Sequence, residues 1–352
     1  MTREREVLDA VERRRRLAPK LKDEHVTLAH GAGGKATHVL VEAVFMEEFG
    51  NDPGDAAVFE HGSTRLAFTT DSFVVKPLFF PGGDIGELAV NGTVNDLAVV
   101  GARPLGLTAG FVVEEGLPTA DLRRIAASMA AAARRAGVAI RAGDTKVVER
   151  GAADGLYITT SGVGVVGDRV ALGRATVRPG DCVLVSGPIG DHGIAIMVAR
   201  GNLELEVDLA SDTAPLASLV EELLAATDGV RWLRDPTRGG VATALNEAAL
   251  EAGLCVALDE TALPVRPEVN GACEILGIDP LYVANEGKLV AIVSPEETST
   301  ALEALQAHPL GADAAVVGEI RAEPAGLVVL DTGFGGTRVV DMLVGDPLPR
   351  IC

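Results

Sequence analysis

The chain has 352 residues, of which 47% are apolar and 23% charged, and its formal net charge is −19 at pH 7. This length and apolar content predict about two globular domains and exclude intrinsic disorder. The acidic balance argues against nucleic acid or an anionic membrane as the main partner, but it permits an anionic ligand held by backbone N–H groups or a metal ion.

Cysteine usage and hydropathy predict a protein of the reducing cytoplasm. The chain contains no C-x-x-C pair, signal peptide or apolar run of membrane-spanning length,. Cys182 and Cys255 lie in apolar, strand-like runs and are predicted to be buried, and Cys273 lies in a predicted helix,. We therefore expect no disulfide framework and no membrane contact.

The elements begin with a charged stretch at residues 1–22. Val7, Leu8 and Val11 form a thin apolar stripe that Pro19 ends, which predicts a short surface helix,. A docking arm for an acidic partner is the alternative interpretation. Residues 1–24 are treated as a charged N-terminal extension.

Residues 25–166 predict a first domain in which strands and helices alternate. Thr119 is a plausible N-cap for one of the helices, and Gly137 a plausible end,. Strands are predicted at 65–75, 106–115 and 155–167, and helices at 84–102 and 119–137,.

Residues 167–345 predict a second domain of similar size, followed by a tail at 346–352. Strands are predicted at 181–186, 255–260, 287–294, 314–320 and 325–331, and helices at 214–227, 239–253 and 295–307,. The fold class is therefore α/β or α+β, with two halves.

The segment HGAGGKATH, residues 30–38, can expose backbone N–H groups toward an anion. Its candidate residues are Gly31, Gly33, Gly34 and Lys35. It is not a Walker A loop, because Ala29 and Ala36 stand where that motif needs glycine and Ser or Thr,. An ordinary glycine turn explains the segment equally well.

Four aspartates are predicted to lie at strand ends and turns. They are Asp55, Asp71, Asp96 and Asp144. Gathered together, they would suit Mg²⁺, which prefers carboxylate oxygens and often bridges to a substrate phosphate. Each residue would also serve as a turn or helix cap, and their spacing does not show that the four converge.

For four further residues the sequence gives weaker evidence of a functional role. Lys146 lies two positions after Asp144 and faces the same side if the segment is extended,. Glu286 lies at a turn before a strand, and Asp235 precedes a helix N-terminus with Arg238, which is a suitable place for an anion,. Solvated or salt-bridged surface roles remain open for all of them.

The final stretch, GDPLPRIC, reads as an extended tail stiffened by proline and ending on Cys352,. Seven residues reach at most about 23–25 Å at ~3.3–3.6 Å each, so the thiol can visit more than one place. A frayed end is the plain alternative.

The motifs GDAAV, TTDSFV, NDLAVVGARP and AGDTKVV, in this order, resemble the aminoimidazole-ribonucleotide-synthetase-like (PurM-like) superfamily of ATP-using enzymes. The resemblance implies a two-domain fold and a homodimer in which the mixed N-terminal sheets join in a barrel and Mg-ATP binds nearby.

Within that superfamily, residues 25–352 resemble the HypE family of hydrogenase-maturation proteins. The segments that carry the resemblance are HGAGGK, AVNGTVNDLAVVGARP, FVVEEGLP, AGDTKVVERG, RDPTRGGVATALNE, ANEGK and PRIC. It implies that a partner carbamoyltransferase loads Cys352. ATP-dependent dehydration then gives a thiocyanate, whose cyanide passes to iron held by partners of the HypC and HypD type, for the [NiFe]-hydrogenase centre.

The resemblance also implies residue roles. Glu286 would be the base, with Lys146 nearby and Cys352 as the carrier. Asp55, Asp71, Asp96 and Asp144 would bind Mg²⁺. Gly31, Gly33, Gly34, Lys35, Asn95 and Asp235 would bind ATP.

Two other functions are weighed. The first is another ATP-dependent member of the superfamily, a small-molecule kinase or a selenophosphate-type synthetase, which would not need Cys352. The second is a scaffold without enzymatic activity that would hydrolyse no nucleotide.

Overall fold

The computed structural model describes residues 21, 23–50, 54–201, 208–343, 345 and 350–352. The surface helix predicted before Pro19 lies outside these residues, as do positions 346–349 of the predicted tail. In the described part of the chain, no helix combines the length and apolarity needed to cross a bilayer.

Eight helices are labelled in chain order. They are α1 (Lys35–Leu40), α2 (Ile85–Val99), α3 (Thr119–Arg135), α4 (Asp191–Ala199), α5 (Ala217–Ala226), α6 (Gly240–Ala252), α7 (Pro267–Leu276) and α8 (Thr298–Ala307). A π-helical stretch, Val41–Met46, and a last turn, Glu47–Phe49, extend α1.

The strands are numbered in the same way. They are β1 (Ala57–His61), β2 (Thr64–Phe73), β3 (Phe79–Phe80), β4 (Gly83–Asp84), β5 (Ala102–Glu114), β6 (Ile140–Val148), β7 (Leu156–Val166), β8 (Cys182–Val185), β9 (Val230–Arg234), β10 (Cys255–Asp259), β11 (Val290–Val293), β12 (Ala315–Arg321), β13 (Val328–Asp331) and β14 (Thr337–Val340).

The first half forms a five-stranded mixed sheet in the order β1-β2-β7-β5-β6. Only the β5–β6 pair is parallel among these neighbours. Burial alternates along β7, as expected for a strand with one covered face,. Helix α2 covers that face and α3 packs on α2, while Phe59, Phe68 and Val163 are exposed.

The second half forms a seven-stranded sheet in the order β14-β13-β10-β12-β8-β11-β9. Helix α6 packs against it through Val241 and Leu245, and α5 and α8 contribute Leu219 and Leu305 to a separate apolar cluster. The predicted two-part α/β architecture is confirmed.

Helix α2 lies between the two halves. It buries 13 of its 15 residues, because it contacts β2, β5 and β7 on one side and α5 and β9 on the other. Asp84 caps it, with Oδ1 accepting from the N–H groups of Gly86 and Glu87 at 2.8 and 3.1 Å,. Because this helix is apolar and buried on nearly all sides, the few polar residues in it lie between the two halves.

Three expectations about local structure are wrong. The N-cap position of α3 is Pro118 rather than Thr119, and Cys182 is half-buried rather than buried. The predicted aspartates do not all lie at strand ends and turns, because Asp71 and Asp144 lie inside strands and Asp96 inside a helix.

Candidate active site

Three carboxyl groups from distant parts of the chain meet between the two halves. Asp55 precedes β1, Asp96 lies in α2 and Asp235 follows β9, and their oxygens lie within 4.8 Å of one another. The Thr69 hydroxyl on β2 lies 2.8 Å from Asp96 Oδ2 and 2.6 Å from the Asp55 carbonyl oxygen. The two halves together therefore build this carboxyl cluster.

Burial dominates the electrostatics of the cluster. It raises the pKa of Asp55 to about 8, although Arg234, whose Nη1 lies 2.8 Å from Asp55 Oδ2, opposes the shift. Burial raises the pKa of Asp235 to about 6. Burial also lifts the pKa of Asp96 well above its usual range, and the negative charges of Asp235 and Asp55 raise it further. A bound cation would therefore stabilise the ionised form of all three carboxyls, and a close set of oxygen donors fits Mg²⁺.

Asp71 lies beside this cluster. Burial raises its pKa, while Arg238 and the Ser72 N–H lower it. The Asp71 carboxylate in turn contributes to the raised pKa of Asp96. Three of the four predicted magnesium ligands thus come together, and Asp235, which was predicted to bind the nucleotide, joins them.

Asp144 and Lys146 lie elsewhere on the chain. Both are exposed on β6, and Lys146 Nζ donates to Asp144 Oδ2 at 2.8 Å. In the sheet register Asp144 shares a row with Thr159, whereas Asp71 shares one with the buried Thr160, so the two aspartates face opposite sides of the sheet. The fold of the single chain does not bring Asp144 to the cluster.

Glu286 is 2% exposed and lies next to the carboxyl cluster. Its pKa is raised well above the usual range by burial, then by Asp235 and Asp71. Among the described residues, its Oε1 has no hydrogen-bond partner. A buried, unpartnered carboxyl group beside a cation site is suited to accept a proton from a bound group.

The glycine segment packs on the turn after β9. A Cβ at Gly33, where φ is +74°, would lie 2.8 Å from the Cβ of Arg238, so glycine allows this approach,. Gly33, Asp55 and Asp235 line a cavity of about 160 Å³. The Lys35 ammonium pairs with Asp341, so its predicted contact with phosphate would need that pair to separate.

Gly31 and Gly34 hold the same segment in place. The Gly31 carbonyl accepts from Arg238 Nη1 at 2.8 Å. A Cβ on Gly34 would lie 2.2 Å from the Leu343 carbonyl oxygen. Both contacts tie the segment to the second half of the chain.

Asn95 is buried, and its side chain forms hydrogen bonds with backbone groups. Its Nδ2 lies 3.1 Å from the Ala214 carbonyl oxygen, and its Oδ1 accepts from the Leu216 N–H at 2.8 Å. These bonds fix α2 to the segment before α5. The predicted role of Asn95 in nucleotide binding stays a prediction.

The end of the tail lies against the body of the protein. Ile351 is buried, and Cys352 is half-buried against the same apolar cluster. The Ile351 carbonyl oxygen lies 2.7 Å from His192 Nε2. Cys352 is thus held near the junction of the two halves.

Sequence reasoning missed several residues that shape the site. Arg234 balances Asp55, Thr69 bridges two aspartates, and Asp212 accepts from the Glu286 N–H at 3.0 Å. One signal was available for Arg234, a cation closing an apolar strand directly before Asp235. A threonine in a strand and an aspartate in a loop give no such signal.

Two family profiles match this architecture. The profile described as "AIR synthase related protein, N-terminal domain" matches residues 53–166, and its C-terminal counterpart matches residues 178–331. Fold and carboxyl site thus define a two-domain protein of the AIR synthase related class, as the motifs had indicated.

Comparison with individual relatives identifies the family within this class. "Carbamoyl dehydratase HypE" of Rhodobacter capsulatus is 58% identical over 342 residues, covering 94% of this chain and 99% of the relative. A "HypE-HypF complex" crystal structure matches with TM-score 0.82 and 48% identity, covering 86% of this chain and 99% of that one. HypE "in complex with ATP" matches with TM-score 0.79 and 46% identity, covering 93% and 100%. The chain belongs to the HypE family of carbamoyl dehydratases.

Proposed function

We propose that this protein dehydrates an S-carbamoyl group on its own Cys352 to an S-cyano group, with conversion of ATP to ADP and phosphate. The carboxamide oxygen is a poor leaving group until the γ-phosphoryl group of ATP is transferred to it. Loss of the oxygen as phosphate and of both N–H protons then leaves the nitrile. The observation that carries the proposal is that a short series of contacts joins the tail to the carboxyl site. Ile351 contacts His192 and His192 contacts Ser211, while Asp212, next to Ser211, accepts from the Glu286 N–H.

Glu286 is proposed as the proton acceptor. Its Oε1 is unpartnered among the described residues, and its raised pKa makes the carboxylate a stronger base than that of an exposed glutamate,. Burial keeps competing water away from an activated intermediate. Arg238, which lowers the pKa of both Asp71 and Glu286, provides positive charge on the same side.

Asp55, Asp96 and Asp235 are proposed to hold Mg²⁺, with Asp71 beside them. The ion would offset charge on the phosphates of ATP when it is bound. Residues 31–35 are proposed to cover those phosphates, since Gly33 of this segment lines the same small cavity as Asp55 and Asp235.

A homodimer is proposed to complete the site. Strand β6 is an exposed sheet edge, with Val147 exposed, and the uncovered face of the first sheet carries Phe59 and Phe68. Exposed edges and apolar patches of this kind mark interfaces. Asp144 and Lys146 lie on this exposed edge strand, and we propose that they contribute to the site of the partner subunit.

The proposed partners and location follow from the family. A carbamoyltransferase of the HypF type would load Cys352, and an iron-carrying complex of the HypC and HypD type would accept the cyanide in the cytoplasm. The similarity to HypE in the HypE–HypF complex supports the first partner. A kinase for a free small molecule is not favoured, because it gives Cys352 no task.

Intact mass spectrometry tests this function. We expect the protein to gain one carbamoyl group when it is incubated with the carbamoyl donor system, and to lose one water when Mg-ATP is added. Cys352→Ser should do neither. Nucleotide turnover that is unchanged in Cys352→Ser would contradict the proposal and favour a free substrate.

A further inference from the structure

The last described residues of the tail are held at several points. The Arg350 carbonyl accepts from the Lys76 N–H at 3.3 Å, and the buried Ile351 side chain joins an apolar cluster with Phe80 and Ile194. Arg350 has φ +58°, a left-handed conformation that residues with a Cβ adopt at a cost,. The surrounding contacts must offset that cost, so this end of the tail is fitted to a defined seat.

His192 makes the polar contact at the centre of this seat. It is fully buried in the first turn of α4, and its Nε2 lies 2.7 Å from the Ile351 carbonyl oxygen. A carbonyl oxygen only accepts, so Nε2 must carry the proton. The edge of the Phe80 ring packs against the imidazole at 5.8 Å between centroids.

Ser211 fixes the tautomer of that imidazole. Its Oγ lies 2.8 Å from His192 Nδ1 and accepts from the Thr213 N–H at 3.1 Å. The Ser211 hydroxyl proton is therefore free to be donated to Nδ1, which leaves the Nε2 proton for the tail. Burial also lowers the pKa of His192, which favours the neutral ring with one donor and one acceptor.

The same short segments support Glu286. Asp212, next to Ser211, accepts from the Glu286 N–H at 3.0 Å, and the Gly193 N–H, next to His192, donates to the Ala284 carbonyl at 3.1 Å. Ser211 and His192 are thus each one residue from a hydrogen bond to the segment 284–286, which contains the proposed base.

We propose that His192, oriented by Ser211, is the positioning residue that seats the tail through the Ile351 carbonyl and so presents Cys352 to Glu286. This role deepens the proposed function and rests on it for its purpose, but the seat itself is a matter of contacts alone. It needs no nucleotide and no carbamoyl group.

Alkylation of Cys352 by iodoacetamide in the full-length, uncarbamoylated protein tests the seat. Because a hydrogen bond contributes roughly 1 kcal/mol net, we expect His192→Leu to raise the labelling rate about fivefold. His192→Gln, whose amide can still donate to the carbonyl, should stay near the wild-type rate, and Ser211→Ala should fall between. The buried Cys255 and Cys273 report on folding, since both stay unlabelled in a folded variant.

Single-turnover dehydration of the carbamoylated protein gives the second readout. We expect His192→Leu to slow conversion with no change in the ATP concentration for half-maximal rate, and His192→Gln to restore it. Equal Cys352 labelling in wild type and His192→Leu, or a change in ATP dependence alone, would overturn the proposal. Failure of the wild-type protein to dehydrate would instead refute the proposed function, while the labelling comparison would still decide the seat.

Discussion

The carboxyl cluster between the two halves and the exposed strand β6 both carry predicted site residues, yet they differ in their surroundings. In the cluster, burial raises the pKa of Asp55 to about 8. On β6, where eight of nine residues are exposed, hydrogen bonds from Lys146 and the Thr145 N–H lower the pKa of Asp144. Asp55 therefore tends to be neutral without a cation, whereas Asp144 stays ionised.

This difference indicates which site residues are assembled within one chain and which need a second chain. Asp55, Asp96 and Asp235 are assembled by one chain, because α2 brings both halves together around them. Asp144 and Lys146 have no second covering element within the described residues of their own subunit that would bury them. The comparison therefore predicts that the carboxyl cluster acts in the site of its own chain, whereas Asp144 and Lys146 act in the site of the partner chain of a dimer.

The largest effect is expected on the buried side, from Glu286→Gln. Removing a general base costs about 10²–10⁴ in rate, so dehydration of carbamoylated protein should nearly stop. Loading of Cys352 should be unchanged, because it needs no proton transfer by Glu286. The measurement is intact mass spectrometry over time with Mg-ATP, and Glu303→Gln, on the exposed face of α8, is the control. Loss of loading would remove Glu286 from the catalytic step.

Mixing two inactive variants tests the exposed side. Lys146→Ala should load normally and fail to dehydrate, like Glu286→Gln. If Lys146 acts across the dimer, a mixed dimer of these two variants has one intact site. Random exchange in equal amounts should then restore about a quarter of wild-type activity per chain.

The control for this mixing experiment is Glu286→Gln mixed with itself under the same exchange conditions. No recovery in the mixed sample, with subunit exchange shown by native mass spectrometry, would place Lys146 and Glu286 in the same subunit's site.

The pH dependence of stability should be a smaller effect, confined to the buried cluster. The raised pKa of Asp55, about 8, means that its protonated form favours folding. That contribution is complete below the unfolded pKa of about 3.9 and is lost as pH rises through about 8. In EDTA, Tm should fall over this window, and Mg²⁺ should raise Tm most at its alkaline end.

Asp55→Asn is the matched variant for this measurement, since an amide has the size of a carboxyl group and does not titrate in this range. It should flatten the Tm profile in EDTA and reduce the gain from Mg²⁺. A profile as steep as that of the wild type would show that other groups cause the loss.

The smallest effect is expected from Asp154→Asn, in the loop between β6 and β7. Asp154 pairs with Arg350 in the tail and with Lys76 at 2.8 Å. Exposed pairs contribute about 0–1 kcal/mol, so Cys352 alkylation should rise about twofold at low salt. The difference should shrink at high salt, and a salt-independent rise would contradict an electrostatic cause.

Sequence periodicity alone predicted most elements of the fold. The alternating pattern around Leu156–Val166 and the helical spacing in Ile85–Val99 each gave the observed element,. Apolar spacing is a local property, and local burial follows from it directly. The ordered aspartate motifs went further and indicated the class of protein, which the relatives confirm.

Only the tertiary structure decided which side chains meet. Spacing could not show that Asp235 joins Asp55 and Asp96, that Asp144 faces the other side of its sheet, or that His192 holds Ile351. These contacts depend on strand order and on the packing of α2 between two sheets. Such long-range arrangements arise from many weak contacts summed over the whole chain, and no short stretch of sequence encodes them.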